Sequence, residues 1–142
     1  MKKILLAIVL CSSINIVNAQ SANDNQSSLQ DSHHTVIGYV KPNGSIYNKS
    51  NVLVCQIKSN GNILDGNGKP LGYITMESAI QDANHTTIGY IHDGASFQDA
   101  NHKPIGAVQN DGSIVKNDNT VIGYETNTEP MWAGLYFFMF SK

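Results

Sequence analysis

Arginine is absent from all 142 residues. Arg is the side chain best suited to gripping phosphate in a bidentate fork, and a basic stripe is the usual footprint of a nucleic-acid binder. Nine Lys stand against eleven acids, a net charge of −2, so nucleic acid is not an expected partner. Cysteine is nearly absent as well, with only Cys11 and Cys55. There is one Trp and there are four Pro. No apolar run reaches the roughly 18 residues that a membrane-spanning helix requires. Charged residues make up 14% and hydrophobic ones 41%, so the chain has material for a core and lacks the balance typical of disorder.

The first residues read as an export signal. Met1-Lys2-Lys3 is basic, Ile4 to Cys11 is a short apolar run, and Val17-Asn18-Ala19-Gln20 offers small residues for cleavage. Residues 1–19 are therefore expected to be a signal peptide. The expected location is secreted, periplasmic or cell-surface, in a bacterium. Leu10 is a poor residue before a lipidated cysteine, so Cys11 is not read as an anchor. Cleavage after Ala19 leaves seven Lys, eleven acids and a single cysteine, Cys55. An internal disulfide is then impossible, and stability must come from sheet and core. Residues 20–28 are polar and read as a linker.

What the chain does have is a period of 17. Gly38, Gly72, Gly89, Gly106 and Gly123 fall on one beat, with Cys55 filling the remaining place. Leu29, Ile46, Ile63, Ile80, Phe97 and Ile114 fall on another. Between the beats lie two kinds of turn. Asn43-Gly44, Asn60-Gly61, Asp93-Gly94 and Asp111-Gly112 can supply the positive φ angles of a tight hairpin. Asp65-Gly66-Asn67-Gly68, Asp82-Ala83-Asn84-His85 and Asp99-Ala100-Asn101-His102 suit turns capped by a short acidic side chain. One unit is strand, turn, strand, turn, and residues 29–126 hold about six units. A fixed period of this kind decides architecture before anything else does.

Two all-β architectures fit: a closed ring of short hairpins, flower- or propeller-like, or a β-solenoid. The hairpin turns favour the ring, and a half-unit at either end would let the ends pair and leave no open edge. The phrases Ile88-Gly89-Tyr90-Ile91 and Asn60-Gly61 make the chain resemble the bacterial β-flower repeat proteins, small secreted proteins, over roughly residues 29–124. That resemblance implies a flower fold and a secreted location, and it carries over no chemistry. Cys55 for glycine, and Ser78 where Gly44 and Gly61 stand, are departures from the pattern.

Ile37, Val54, Leu71, Ile88, Ile105 and Ile122 form one apolar series, and Val40, Ile57, Ile74, Ile91 and Val108 another. They lie three residues apart, which strict alternation sends to opposite faces. A β-bulge at the glycine would reset the parity. A valine at Gly89 is then expected to damage folding.

Candidate chemistry is sparse. Tyr39, Tyr73, Tyr90 and Tyr124 each follow a repeat glycine, while Gln56 and Ala107 fill the other two places. Such a ring of tyrosines is the candidate ligand-binding set. Flat apolar faces with hydroxyl tips suit a glycan, although packing between hairpins would explain the same residues. His34, His85 and His102 are equivalent to one another, as are Asp31, Asp65, Asp82 and Asp99. Asn51, Gly68 and Asn119 fill the remaining His places, which points to a positive-φ turn position more than to a metal rim. No metal or cofactor is expected. Cys55 lies in an apolar strand and reads as a small hydrophobe, so neither a cysteine enzyme nor a metal enzyme is the favoured reading.

The tail departs most from the pattern. After Thr128 and Pro130, read as a helix start with Thr128 as the cap, residues 131–140 are apolar on every side. Such a run must be buried or bound. Residues 127–142 are expected to be a cap that plugs the ring, with a membrane or partner anchor as the alternative. The function that follows is a non-catalytic binding or structural module directed at a glycan or cell-surface component. A solenoid adhesin is the other reading.

Overall fold

The computed structural model describes residues 27–140. The expected signal peptide and most of the linker lie outside them. Twelve short strands follow one another: β1 (Ser28–Asp31), β2 (Val36–Val40), β3 (Ser45–Asn48), β4 (Leu53–Ile57), β5 (Asn62–Asp65) and β6 (Pro70–Ile74). Then come β7 (Ala79–Asp82), β8 (Thr87–His92), β9 (Ser96–Asp99), β10 (Pro104–Val108), β11 (Ser113–Lys116) and β12 (Val121–Thr126). Each pairs antiparallel with its neighbours in sequence, and β12 pairs with β1, so the sheet closes into a barrel. A solenoid is excluded, since its coils would pair in parallel. Five tight-turn hairpins are continuous in the chain, and the sixth is completed where the two chain ends meet. Ser28, expected in the linker, already belongs to β1 opposite Thr126, because closure needs a partner for the last strand.

The bulge is present in every unit. Leu29 faces Gly38 and Gln30 faces Val36, so Ile37 is an extra residue. The same shift recurs at the five equivalent strand pairs. The glycines and the Val40 series therefore share the inner face with the Leu29 series. Leu29, Ile63, Ile80 and Ile114 are 0% exposed, and Ile46 and Phe97 are 1% exposed. Ile37 and its equivalents remain half-buried against this core.

Local chemistry sets both turns. Asp31 Oδ1 accepts the N–H groups of His33 and Thr35, and Asn48, Asp65, Asp82 and Asp99 do the same for their own turns. These bonds hold the Asp31 carboxyl below the usual carboxylate range. The residue that ends each such turn has a positive φ: His34 60°, Asn51 60°, Gly68 80°, His85 62°, His102 62° and Asn119 66°. This is the position that the mix of His, Asn and Gly implied.

At the opposite end of the barrel, Gly44, Gly61 and Gly112 have φ of 78°, 87° and 83°. A β-carbon there would fall 2.0, 2.2 and 2.4 Å from a carbonyl oxygen of the next hairpin. Ser78 occupies the same place at φ 61° and carries that β-carbon. Ser78→Gly is expected to stabilise the fold by about 1 kcal/mol, the left-handed penalty less the added chain entropy. Thermal unfolding measures it: a midpoint a few degrees higher is expected, and an unchanged or lower one would remove strain as the reason for glycine here.

Twelve strands enclose a wider lumen than the roughly eight whose side chains alone can fill it. The C-terminal segment occupies that space. Helix α1 (Pro130–Leu135) runs into a π-helical turn over Tyr136–Phe140. Ala133 and Leu135 are 0% exposed. Gly134 lies against the Phe97 ring, where an added β-carbon would fall 2.0 Å from it. Glu129 is the helix N-cap with no side-chain capping bond, and Pro130 opens the first turn, so Thr128 is not the cap. Glu125 interrupts the Val40 series just before the chain enters the lumen. Its carboxylate accepts the Thr128 N–H at 3.0 Å, and burial raises its pKa.

Candidate functional site

The strand pleat turns the four expected tyrosines outward, since the residues on either side of each face in. Tyr39, Tyr73, Tyr90 and Tyr124 thus lie at one level on the outer wall, half-buried, and do not line the lumen. Three of them are covered on one face by an imidazole. Tyr73 stacks on His85 with ring centroids 4.3 Å apart, Tyr90 on His102 at 4.1 Å, and Tyr124 on His34 at 3.9 Å. In each pair the rings are nearly parallel, within 20°. The turn places each His with its side chain over the tyrosine of the preceding hairpin. The pairs are set by the same backbone that required a left-handed residue there.

A third residue belongs to the set. Gln81 lies across the ladder from Tyr73, Gln98 from Tyr90 and Gln30 from Tyr124. Gln98 Oε1 is 2.9 Å from His92 Nε2. Tyr, Gln and His occur together in these three units. In two others none of them takes its place, which is filled instead by Gln56, Leu64 and Gly68 or by Ala107, Val115 and Asn119. Tyr39 is intermediate: Tyr47 lies across from it, and the Lys41 ammonium sits 4.4 Å from the Tyr47 ring centre. Sequence reasoning found the tyrosines and missed their partners. The signal was there in the spacings, eight residues from Tyr73 to Gln81 and twelve to His85, repeated from Tyr90.

The other candidates resolve plainly. The turn aspartates use their oxygens on backbone amides, and the histidines lie on tyrosines. Among the described residues no three His, Cys, Asp or Glu side chains gather as a ligand set. Cys55 faces the lumen at 2% exposure, and burial pushes its thiol up to about 11. At neutral pH it is protonated, and a protonated thiol is not a nucleophile. No helix among the described residues is long and apolar enough to cross a membrane.

Against known proteins, the family model described as a 5-fold beta-flower protein matches residues 26–141. No curated protein and no solved structure matches the chain. The match spans every strand of the barrel and the helix inside it. A closed ring of repeated antiparallel hairpins, built on a 17-residue unit and covered by a family model over most of its length, places the chain in the β-flower family.

Proposed function

We propose that the protein is an exported, non-catalytic binding module of the bacterial periplasm or cell surface, and that the Tyr–Gln–His sets on its outer wall hold a glycan. One observation carries this reading. Three units have the whole set and two have none of it, yet all fold into the same hairpin. The set is therefore not a requirement of the barrel. Each one offers a two-ring aromatic stack with an amide beside it, which suits the apolar face and hydroxyls of a sugar. Tyr73 and Tyr90 stand on adjacent hairpins, so two platforms can engage one chain, with the gain in avidity that linked sites give. Export rests on the signal-like residues 1–19. Repeats set like beside like, whereas catalysis needs unlike groups converging, and the one cysteine is held as a thiol.

The test is an array of glycans and cell-wall fragments, followed by the double variant Tyr73→Ala with Tyr90→Ala. Binding is expected to fall at least tenfold while the unfolding midpoint stays nearly unchanged, because Gln56 and Ala107 already occupy this place in two hairpins. A midpoint several degrees lower makes the tyrosines structural. Absence of any glycan bound by the parent removes the reading.

A further inference from the structure

The helix that fills the barrel does not enter it centrally. Gly134 presses on Phe97 in β9, and α1 packs on β10. Six strands round the ring, on the side of β4 and β5, the mouth stays open. The result is a cleft of about 940 Å³ between the helix and the turn tips of three successive hairpins. That volume is at the upper end of small-molecule sites, roughly 300–1,000 Å³.

The lining has a definite chemistry. Ile57, Ile74, Met76 and Met131 contribute apolar lining. Trp132, the only tryptophan of the chain, lines it as well. The turns contribute neutral hydrogen-bonding groups from Asn43, Ser59, Asn60 and Thr75. Lys58 and Glu129 are its charged members, one of each sign, so the cleft offers no net charge to an ion. An indole and apolar side chains together with amides and hydroxyls fit a ligand with a flat C–H face and many hydroxyl groups.

We infer that this cleft is a binding site for a neutral saccharide of one or two rings, stacked on the Trp132 indole and hydrogen-bonded by the turn side chains. The asymmetry that creates it is fixed by the core: Phe97 is the one aromatic in a series otherwise of Leu and Ile, and it sets where Gly134 docks. The site is separate from the tyrosine wall and stands or falls independently of it.

The single Trp makes the test direct. Glucose, galactose, N-acetylglucosamine, its β-1,4 dimer and cellobiose are titrated into the protein while Trp emission is followed. A saturable change in intensity or wavelength is expected with at least one of them. Calorimetry on Trp132→Leu, which keeps an apolar side chain and removes the flat ring, is expected to show at least tenfold weaker binding. Tyr73→Ala with Tyr90→Ala is expected to leave the emission change intact, which separates failure here from failure of the wall reading. No saturable change with any of the five sugars overturns the inference, and so does equal affinity in Trp132→Leu. An emission change with an apolar N-acetylated dipeptide and with none of the sugars also overturns it, making the cleft a peptide-docking site.

Discussion

A chain ending at residue 130 will not form a soluble ring. The deleted residues include Trp132, Leu135, Tyr136, Phe137, Phe138, Met139 and Phe140, all packed in or against the core. Full burial of a large apolar side chain contributes about 1.5–3 kcal/mol. Even at half that value, seven of them supply on the order of 5–10 kcal/mol, as much as the whole net stability of a typical domain. Collapse cannot make good the loss, because the inner wall at this level is glycine. Removing the helix leaves a hole lined by backbone and by Leu, Ile and Phe side chains that water would have to fill. Insoluble protein, or soluble protein without a cooperative unfolding transition, is the expected result. A truncated chain that stays monomeric and unfolds cooperatively would mean that the segment is an attachment and not part of the core.

Among the bulge glycines of the ring, Gly106→Val is expected to be the most damaging substitution. A β-carbon at Gly106 would lie 2.4 Å from the Phe138 ring and 2.4 Å from the Val115 carbonyl oxygen. Neither neighbour can retreat: one is a rigid ring wedged against Phe97 with centroids 5.3 Å apart, and the other is strand backbone. Overpacking a core by a few carbons costs about 1–3 kcal/mol, and a clash with a wedged ring on one side and backbone on the other belongs at or above that upper value. At Gly89 the strand clash is with the Gln98 carbonyl oxygen at 2.5 Å, but the helix contact is Met139 Cε at 2.7 Å, the far end of a flexible side chain, so Gly89→Val should cost less. At Gly38 a β-carbon would meet only the Tyr47 and Asn48 backbone, with no helix side chain within 4 Å. Chemical denaturation of the three variants should therefore rank Gly106 worst and Gly38 mildest. The reverse order would mean that the helix does not set the need for glycine.

The ranking shows what the sequence made legible and what it did not. The period, the bulge and the left-handed turn residues are local features, written again in each 17-residue unit. They could be read from Ile37 and Val40, or from His34, Asn51 and Gly68, without knowing where the chain goes next. The glycines mark the bulges, as their place inside a strand implies. Their second role needed the tail, because Phe137, Phe138, Met139 and Phe140 step across Gly123, Gly106, Gly89 and Gly72 in turn. Each helix residue meets a different repeat, so no spacing within the repeats announces the match. The Tyr–His stacks are different: the twelve-residue spacing from Tyr73 to His85 and from Tyr90 to His102 is periodic, and only the left-handed turn that lays the ring back over the preceding hairpin gives it meaning. Trp132 and the open side of the mouth depend on how the helix leans, which is decided by Phe97 and Gly134 and by nothing periodic.

Closure of β1 on β12 also sets the order of events when the chain is made. Until Thr126 has been synthesised, β1 is paired only with β2 and the sheet has two open edges. Until Phe140 follows, the lumen has nothing to close around. Ring and filling are thus both completed by β12 and the segment that follows it, and the long-range contacts that define the fold must wait for them. A growing chain offers hairpins, each formed from neighbouring residues and each reversible. Commitment comes in one late step, when the tail enters and the first strand meets the last.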